Sequence, residues 1–166
     1  MRERKPRVAV ETGVCNGVST AFLLLALERN GEGELHSIDL PEVAGEKYEQ
    51  GTFWDGKGGA VIPPGKEPGW MVPADLRTRW HLLLGRSQDE LPPLLERVGE
   101  LDFFMHDSEH SYECMSFEFR TAWEALREGG VLIADDVNVN SAWDEFTHEV
   151  GREPQALGPK LAMITK

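Results

Sequence analysis

Cysteine is nearly missing from this chain: Cys15 and Cys114 are the only two in 166 residues. They have neither metal-ligand spacing nor the number a disulfide framework needs, so both structures are excluded and a reducing cytoplasm is the expected compartment. Long apolar runs are missing too. The longest, Ala21 to Leu27, is followed at once by Glu28-Arg29-Asn30 and falls well short of the roughly 18 residues of a membrane span. The opening Met1-Arg2-Glu3-Arg4-Lys5-Pro6 leads into no apolar segment with a small-residue cleavage site, so no secretory leader is expected. Basic residues are outnumbered, 17 against 29 acidic, for a formal net charge of -12. That balance disfavours nucleic acid or an anionic membrane as a partner, since both need a basic face. No internal repeat is present either, and the length suits one α/β domain over residues 1–166.

What is there is an alternation of strand and helix signals. Arg7 to Glu11, Glu34 to Asp39, Trp80 to Leu84, Leu101 to His106 and Val131 to Ala134 read as strands, and Leu161 to Thr165 as a last one at the sheet edge. Between them, Gly17 to Arg29, Gln88 to Val98 and Tyr112 to Arg127 read as helices. Pro92-Pro93 is expected in the first turn of the second helix, and Gly129-Gly130 is expected to stop the third. Phe117, Phe119, Trp123 and Leu126 are candidate core residues of that third helix. Such an alternation predicts a mostly parallel sheet with helices on both faces. Pro41 to Pro73 is irregular, rich in Gly and Pro, and carries Phe53, Trp54 and Trp70. A segment of that length with apolar aromatics is expected to act as a lid.

The first specific signal is Val10-Glu11-Thr12-Gly13-Val14-Cys15-Asn16-Gly17-Val18-Ser19-Thr20, where a strand turns into a helix. Helix starts present free N–H groups to a ligand, and Gly13 and Gly17 permit a sharp, close turn. A dinucleotide fingerprint starting at Gly13 would need glycine where Cys15 and Val18 stand, so a pyrophosphate fits poorly. S-adenosylmethionine (SAM) carries no phosphate and tolerates a bulkier turn. Glu11 is then expected to meet its ammonium and Asp39, closing the second strand, its ribose hydroxyls. The plainer alternative is a βα turn that needs glycine for geometry alone.

The second signal is a set of carboxylates at two strand ends: Asp107 after Leu101 to His106, and Asp135-Asp136 after Val131 to Ala134. If those strands are neighbours, their ends stand roughly 5 Å apart. Three crowded carboxylates call for a cation, and Mg²⁺ is the expected one. The alternative is three unrelated caps and loop residues. His110, three residues beyond Asp107, is a candidate general base. His106 falls on the opposite side of its strand and is expected to be structural.

Together, V-E-T-G-x-x-x-G-x-S-T, S-I-D-L-P, H-D-S-E-H-S-Y-E and G-G-V-L-I-A-D-D-V resemble class I SAM-dependent methyltransferases. The likeness is greatest to the methyltransferase family 24 group, related to metal-dependent O-methyltransferases of catechols and macrolide sugars. The resemblance spans Val8 to about Phe146 and implies a Rossmann-like sheet. It implies that Glu11, Gly13, Gly17 and Ser19 hold the methionine part of SAM, that Asp39 and Asp107 complete the cofactor site, and that Ser87 lies near the adenine. It also implies Mg²⁺ on Asp107, Asp135 and Asp136, with His110 as the base. Relatives often carry extra helices before the first strand, shaping the substrate site or an oligomer; here almost nothing precedes it.

The expected activity is methyl transfer from SAM to a hydroxyl of a small, polyhydroxylated acceptor. The rivals are a metal-free methyltransferase of the same fold and a SAM-binding module without catalysis. A nicotinamide dehydrogenase is disfavoured by the failed glycine fingerprint.

Overall fold

The structure is a computed structural model that describes residues 1, 3–48, 50, 55 and 61–166. In chain order its elements are β1 (Val8–Thr12), α1 (Val18–Asn30), β2 (Glu34–Asp39), β3 (Glu42–Val43) and β4 (Val61–Ile62). A 3-10 helix (Ala74–Arg79), β5 (Trp80–Leu84), α2 (Ser87–Val98) and β6 (Leu101–His106) follow. The chain continues through α3 (Tyr112–Ala125), β7 (Leu126–Ala134), α4 (Ala142–Glu149), β8 (Gln155–Ala156) and β9 (Ala162–Thr165). Seven strands form one sheet in the order β5-β2-β1-β6-β7-β9-β8. Pairings from β5 to β7 are parallel, and β9 runs antiparallel to both β7 and β8.

The sequence explains these layers. Strands β1 and β6 lie at the centre, and Ala9, Val10 and Phe104 are fully buried, as a sheet covered on both faces requires. In α1 the buried residues Thr20, Leu23, Leu24 and Leu27 recur at helical spacing. The helix ends on Gly31, whose φ of 77° and N–H bonds to the Leu27 and Glu28 carbonyls form a left-handed cap. One face of the sheet packs Val10, Phe104 and Leu132 against α2, α3 and α4 through Leu91, Leu94, Met115, Phe119 and Phe146. The other packs Leu35, Phe103 and Val131 against α1 and the 3-10 helix through Leu24, Leu27 and Leu76. Each such side chain, fully buried, stabilises the fold by about 1.5–3 kcal/mol.

Three expectations change. Pro92 and Pro93 sit in the second turn of α2, and the helix runs through them. Their missing N–H groups release only the carbonyls of Gln88 and Asp89, at the partly exposed start of the helix. Gly129-Gly130 does not stop α3, which ends at Ala125. The two glycines lie within β7, where the register against β6 shifts between Leu101 and Phe103. Gly129 N–H donates to the Lys166 carbonyl and Lys166 N–H to the Gly130 carbonyl, so the pair accommodates an irregularity beside the C-terminal strand. Of the expected core, Phe119 and Leu126 are buried, while Phe117 and Trp123 pack on the core from its margin. The edge beyond β9 is taken by the two-residue β8, which is too short to read in sequence.

Candidate active site

A cavity of about 640 Å³ opens at the carboxyl ends of β1, β2 and β6, lined by Gly13, Asp39, Ser87, Asp107, His110 and Asp136 among others. Its position follows from chain direction: parallel strands all deliver their ends, and the turns after them, to one side. Gly13 adopts φ 86°, and a Cβ there would stand 1.9 Å from the Asp107 carbonyl oxygen. Only glycine lets the end of β1 pass so close to the end of β6.

Asp39 organises the turn. Its Oδ1 accepts from Val14 N–H at 2.8 Å and more weakly from Cys15 N–H at 3.4 Å, while Oδ2 is buried without a partner. Burial raises its pKa, and the two N–H donors oppose that rise. An unpaired buried carboxylate oxygen on a cavity wall fits a hydroxyl donor from a ligand.

Glu11 does something different from what the sequence suggested. It is fully buried and does not line the cavity. Both its oxygens are occupied, by Ser19 Oγ and Thr20 Oγ1 at 2.7 Å each and Ser37 Oγ at 2.9 Å. These bonds tie β1 to α1 and β2, and they engage the carboxylate that the sequence reading aimed at a ligand ammonium. Ser19 is one of its donors and likewise lies off the cavity. Gly17 also stands off it; a Cβ there would lie 2.6 Å from Gly69 Cα, so this glycine seats the 69–72 segment on the turn.

That segment belongs to the described part of the expected lid. Gly69 N–H donates to the Cys15 carbonyl, Met71 N–H to Asn16, and Trp70 Nε1 to Asn16 Oδ1 at 2.6 Å. Upstream, β3 and β4 pair in parallel, and Glu42 and Ile62 reach the cavity. Phe53 and Trp54, which the lid reading also used, lie outside the described residues.

Strands β6 and β7 are neighbours, with His106 opposite Ala134. Asp107 N–H continues the ladder to the Thr12 carbonyl, and Asp135 N–H to the His106 carbonyl. Donor atoms of Asp107, Asp135 and His110 lie within 4.8 Å of one another. Burial first, then the charge of Asp135, pushes the Asp107 carboxyl up to about 7. Asp136 departs from the expected trio. It takes a left-handed φ of 49°, its Oδ1 pairs with Lys160 Nζ at 2.7 Å, and its Oδ2 stands 4.0 Å from His110 Nε2. Consecutive residues at a strand end diverge, so His110 rather than Asp136 completes the cluster. His110 Nε2 is buried without a hydrogen bond, and burial followed by the nearby His106 lowers its pKa. A neutral, unpartnered imidazole nitrogen beside two carboxylates can accept a proton or a metal.

Beneath this wall lies a network that the motifs did not announce. Glu118 is fully buried; it receives Thr12 Oγ1 at 2.5 Å, Ser108 Oγ at 2.7 Å and Cys114 Sγ at 3.4 Å, and pairs with His106 Nδ1 at 2.7 Å. Burial opposes ionisation, but His106 and the hydroxyls prevail and hold its pKa down at about 2. A signal was present: Glu118 sits among Met115, Phe119 and Ala122 on the buried side of α3, where a carboxylate requires a partner. Ser87 lines the cavity at the start of α2, its Oγ 3.6 Å from Cys114 Sγ.

The fold is shared with solved O-methyltransferases. The O-methyltransferase NovP is 17% identical, with a TM-score of 0.67 over 99% of this chain and 73% of that one. The O-methyltransferase TomG from Streptomyces achromogenes, solved with SAM, is 17% identical, with a TM-score of 0.62 over 99% and 74%. The protein cmcI, solved with Mg and SAM, is 17% identical, with a TM-score of 0.61 over 99% and 66%. No curated protein sequence matches the chain. Residues 10–137 match the family described as a methyltransferase domain. With that match covering most of its length, on a Rossmann-like sheet, the chain belongs to this methyltransferase family.

Proposed function

We propose that the protein transfers a methyl group from SAM to a hydroxyl of a small hydroxylated acceptor, at a site that also takes a divalent metal. The observation that carries this reading is the convergence of Asp107, Asp135 and His110 donor atoms within 4.8 Å beside the cavity that also holds the unpaired Oδ2 of Asp39. The donor set fits a cation: burial and repulsion leave Asp107 reluctant to ionise alone.

The cofactor-binding residues in this reading are Gly13, Asp39, Ser87 and Asp107. Asp39 Oδ2 takes a ribose hydroxyl, and the backbone at Gly13 admits the methionine part without a side chain in the way. Glu11, Gly17 and Ser19 build and brace the turn. SAM supplies an electrophilic methyl group, and a hard ion such as Mg²⁺ supplies Lewis acidity that lowers the pKa of a nearby hydroxyl. Mg²⁺ prefers oxygen donors, so we assign Asp107 and Asp135 to it. That leaves His110 Nε2 free to take the acceptor's proton. Asp136, 4.0 Å from that nitrogen, stabilises the imidazolium so formed, and this replaces its expected place as a third metal ligand. The cavity walls hold acceptor and cofactor in line, which accounts for much of such a rate enhancement.

The test is S-adenosylhomocysteine release with a panel of sugars and catechol-like acceptors, with and without EDTA. The reading expects EDTA to abolish turnover, and His110→Ala to lower it by roughly 10²–10⁴-fold with metal affinity retained. Undiminished transfer in EDTA would favour the metal-free methyltransferase, and SAM binding with no turnover on any acceptor the non-catalytic module.

A further inference from the structure

A second cluster of metal-type donors lies at the other end of the sheet. Strands β2 and β5 pair in parallel with His36 opposite His81, and Glu34, two residues before His36, shares their face. The two rings stack, with centroids 4.7 Å apart and planes 17° apart. Glu34 Oε2 lies 3.2 Å from His81 Nε2 and 3.9 Å from His36 Nε2. One donor atom from each of the three lies within 4.8 Å of the others. Asp39, on the cavity, is three residues beyond His36 on β2, roughly 10 Å at strand rise, and points to the other side of the sheet, so the two sites are separate.

The independent observation is the state of His36. It is only 8% exposed, its Nδ1 is buried with no partner, and its Nε2 stands beyond hydrogen-bond range of Glu34. An imidazole nitrogen buried without a partner is rare in a folded protein and calls for a ligand. Burial, then His81, lowers its pKa, which favours the neutral form a metal binds.

We propose that Glu34, His36 and His81 form a binding site for a borderline divalent transition-metal ion, Zn²⁺ foremost. Two imidazoles and one carboxylate suit such an ion and not Mg²⁺. Ligands at about 2.0–2.2 Å in a tetrahedral set stand roughly 3.3 Å apart. The Glu34–His81 separation already matches. His36 is fixed by burial, while the side chains of His81 and Glu34, 48% and 59% exposed, are free to turn onto the ion. Three protein donors leave one position for water. Bound there, the ion cross-links the edge strand β5 to β2, remote from methyl transfer and independent of the reading of the cavity.

The experiment uses the tag-free, EDTA-stripped full chain. Zn²⁺ is titrated while the imidazole ¹H–¹⁵N resonances are followed, alongside calorimetry on the wild type, His81→Gln, Glu34→Gln and His110→Gln. The wild type should shift the His36 and His81 resonances in one saturable step. His81→Gln and Glu34→Gln, both at exposed positions, should weaken that step more than about a hundredfold, beyond the roughly 10–100-fold losses typical of supporting partners. His110→Gln should leave it unchanged, which separates this site from the cavity cluster. His36 and His81 resonances unmoved by Zn²⁺, or a step that persists in both edge variants, would overturn the proposal.

Discussion

Replacing Asp107 by asparagine should make the metal-free protein more stable, and increasingly so as pH rises. The Asp107 carboxyl is pushed from an ordinary 3.8 to about 7 by burial and by Asp135. A group raised in this way favours the fold fully only below its unfolded value. That contribution is lost as pH climbs through 7, because ionisation costs more in the folded state than in the unfolded chain. A span of about three units corresponds to about 4 kcal/mol as a ceiling. The site forms a cavity wall, and solvent screening there reduces the expected effect to about 2 kcal/mol. Asparagine has no charge to desolvate. In EDTA at pH 8.5, Asp107→Asn should therefore melt about 4–8 °C above the wild type, at about 2–4 °C per kcal/mol for a chain of this size. The gap should narrow towards pH 5. Excess Mg²⁺ should then raise the wild type and not the variant, by about 2.7 kcal/mol at a hundredfold excess over Kd. Thermal melts across pH 5–8.5, with and without metal, provide the assay. Parallel melting curves for the two proteins at every pH would refute the electrostatic reasoning.

Asp39→Ala should weaken S-adenosylhomocysteine binding about tenfold to a hundredfold, the value of a charge-assisted hydrogen bond of about 1.5–3 kcal/mol; calorimetry checks this, and unchanged affinity would remove Asp39 from the cofactor site. Glu118→Gln should destabilise the protein by about 1–3 kcal/mol, because it removes the charged acceptor that the buried Thr12 and Ser108 hydroxyls and His106 Nδ1 share. The stabilising contribution of Glu118 is present above its ordinary 4.5 and lost only as pH falls through about 2, so urea unfolding at pH 7 should register the whole effect; a loss under 1 kcal/mol would contradict it.

The strand ends were legible because their chemistry is local. A short, apolar-rich run that closes on Asp39 or Asp107 before a turn or loop signals both the strand and the end of the sheet to which it delivers its acid. The meeting of Asp107 with Asp135 was legible only on the condition that β6 and β7 are neighbours, which the sheet order meets. Side-chain direction at the last residue of an element was not legible. Glu11 and Asp39 both lie at strand ends, yet Glu11 is sealed by Ser19, Thr20 and Ser37 while Asp39 keeps one oxygen free. Only the packing of α1 on β1 decides which acid turns inward. Asp136 is similar: a left-handed backbone and Lys160, 24 positions along the chain, set its orientation. Helix α4 was missed because its eight residues make little more than two turns, too few for Trp143 and Phe146 to show a period. The double proline of α2 misled through a propensity that the burial of Leu91, Leu94 and Leu95 outweighs.

The most direct test of the central claim is anomalous diffraction from crystals soaked with S-adenosylhomocysteine and Mn²⁺, the latter standing in for Mg²⁺. The account predicts the nucleoside in the cavity with its ribose on Asp39, and one anomalous peak bonded to carboxylate oxygens of Asp107 and Asp135, with His110 free to face the acceptor. A cavity without S-adenosylhomocysteine, or a peak that avoids both aspartates, would contradict it.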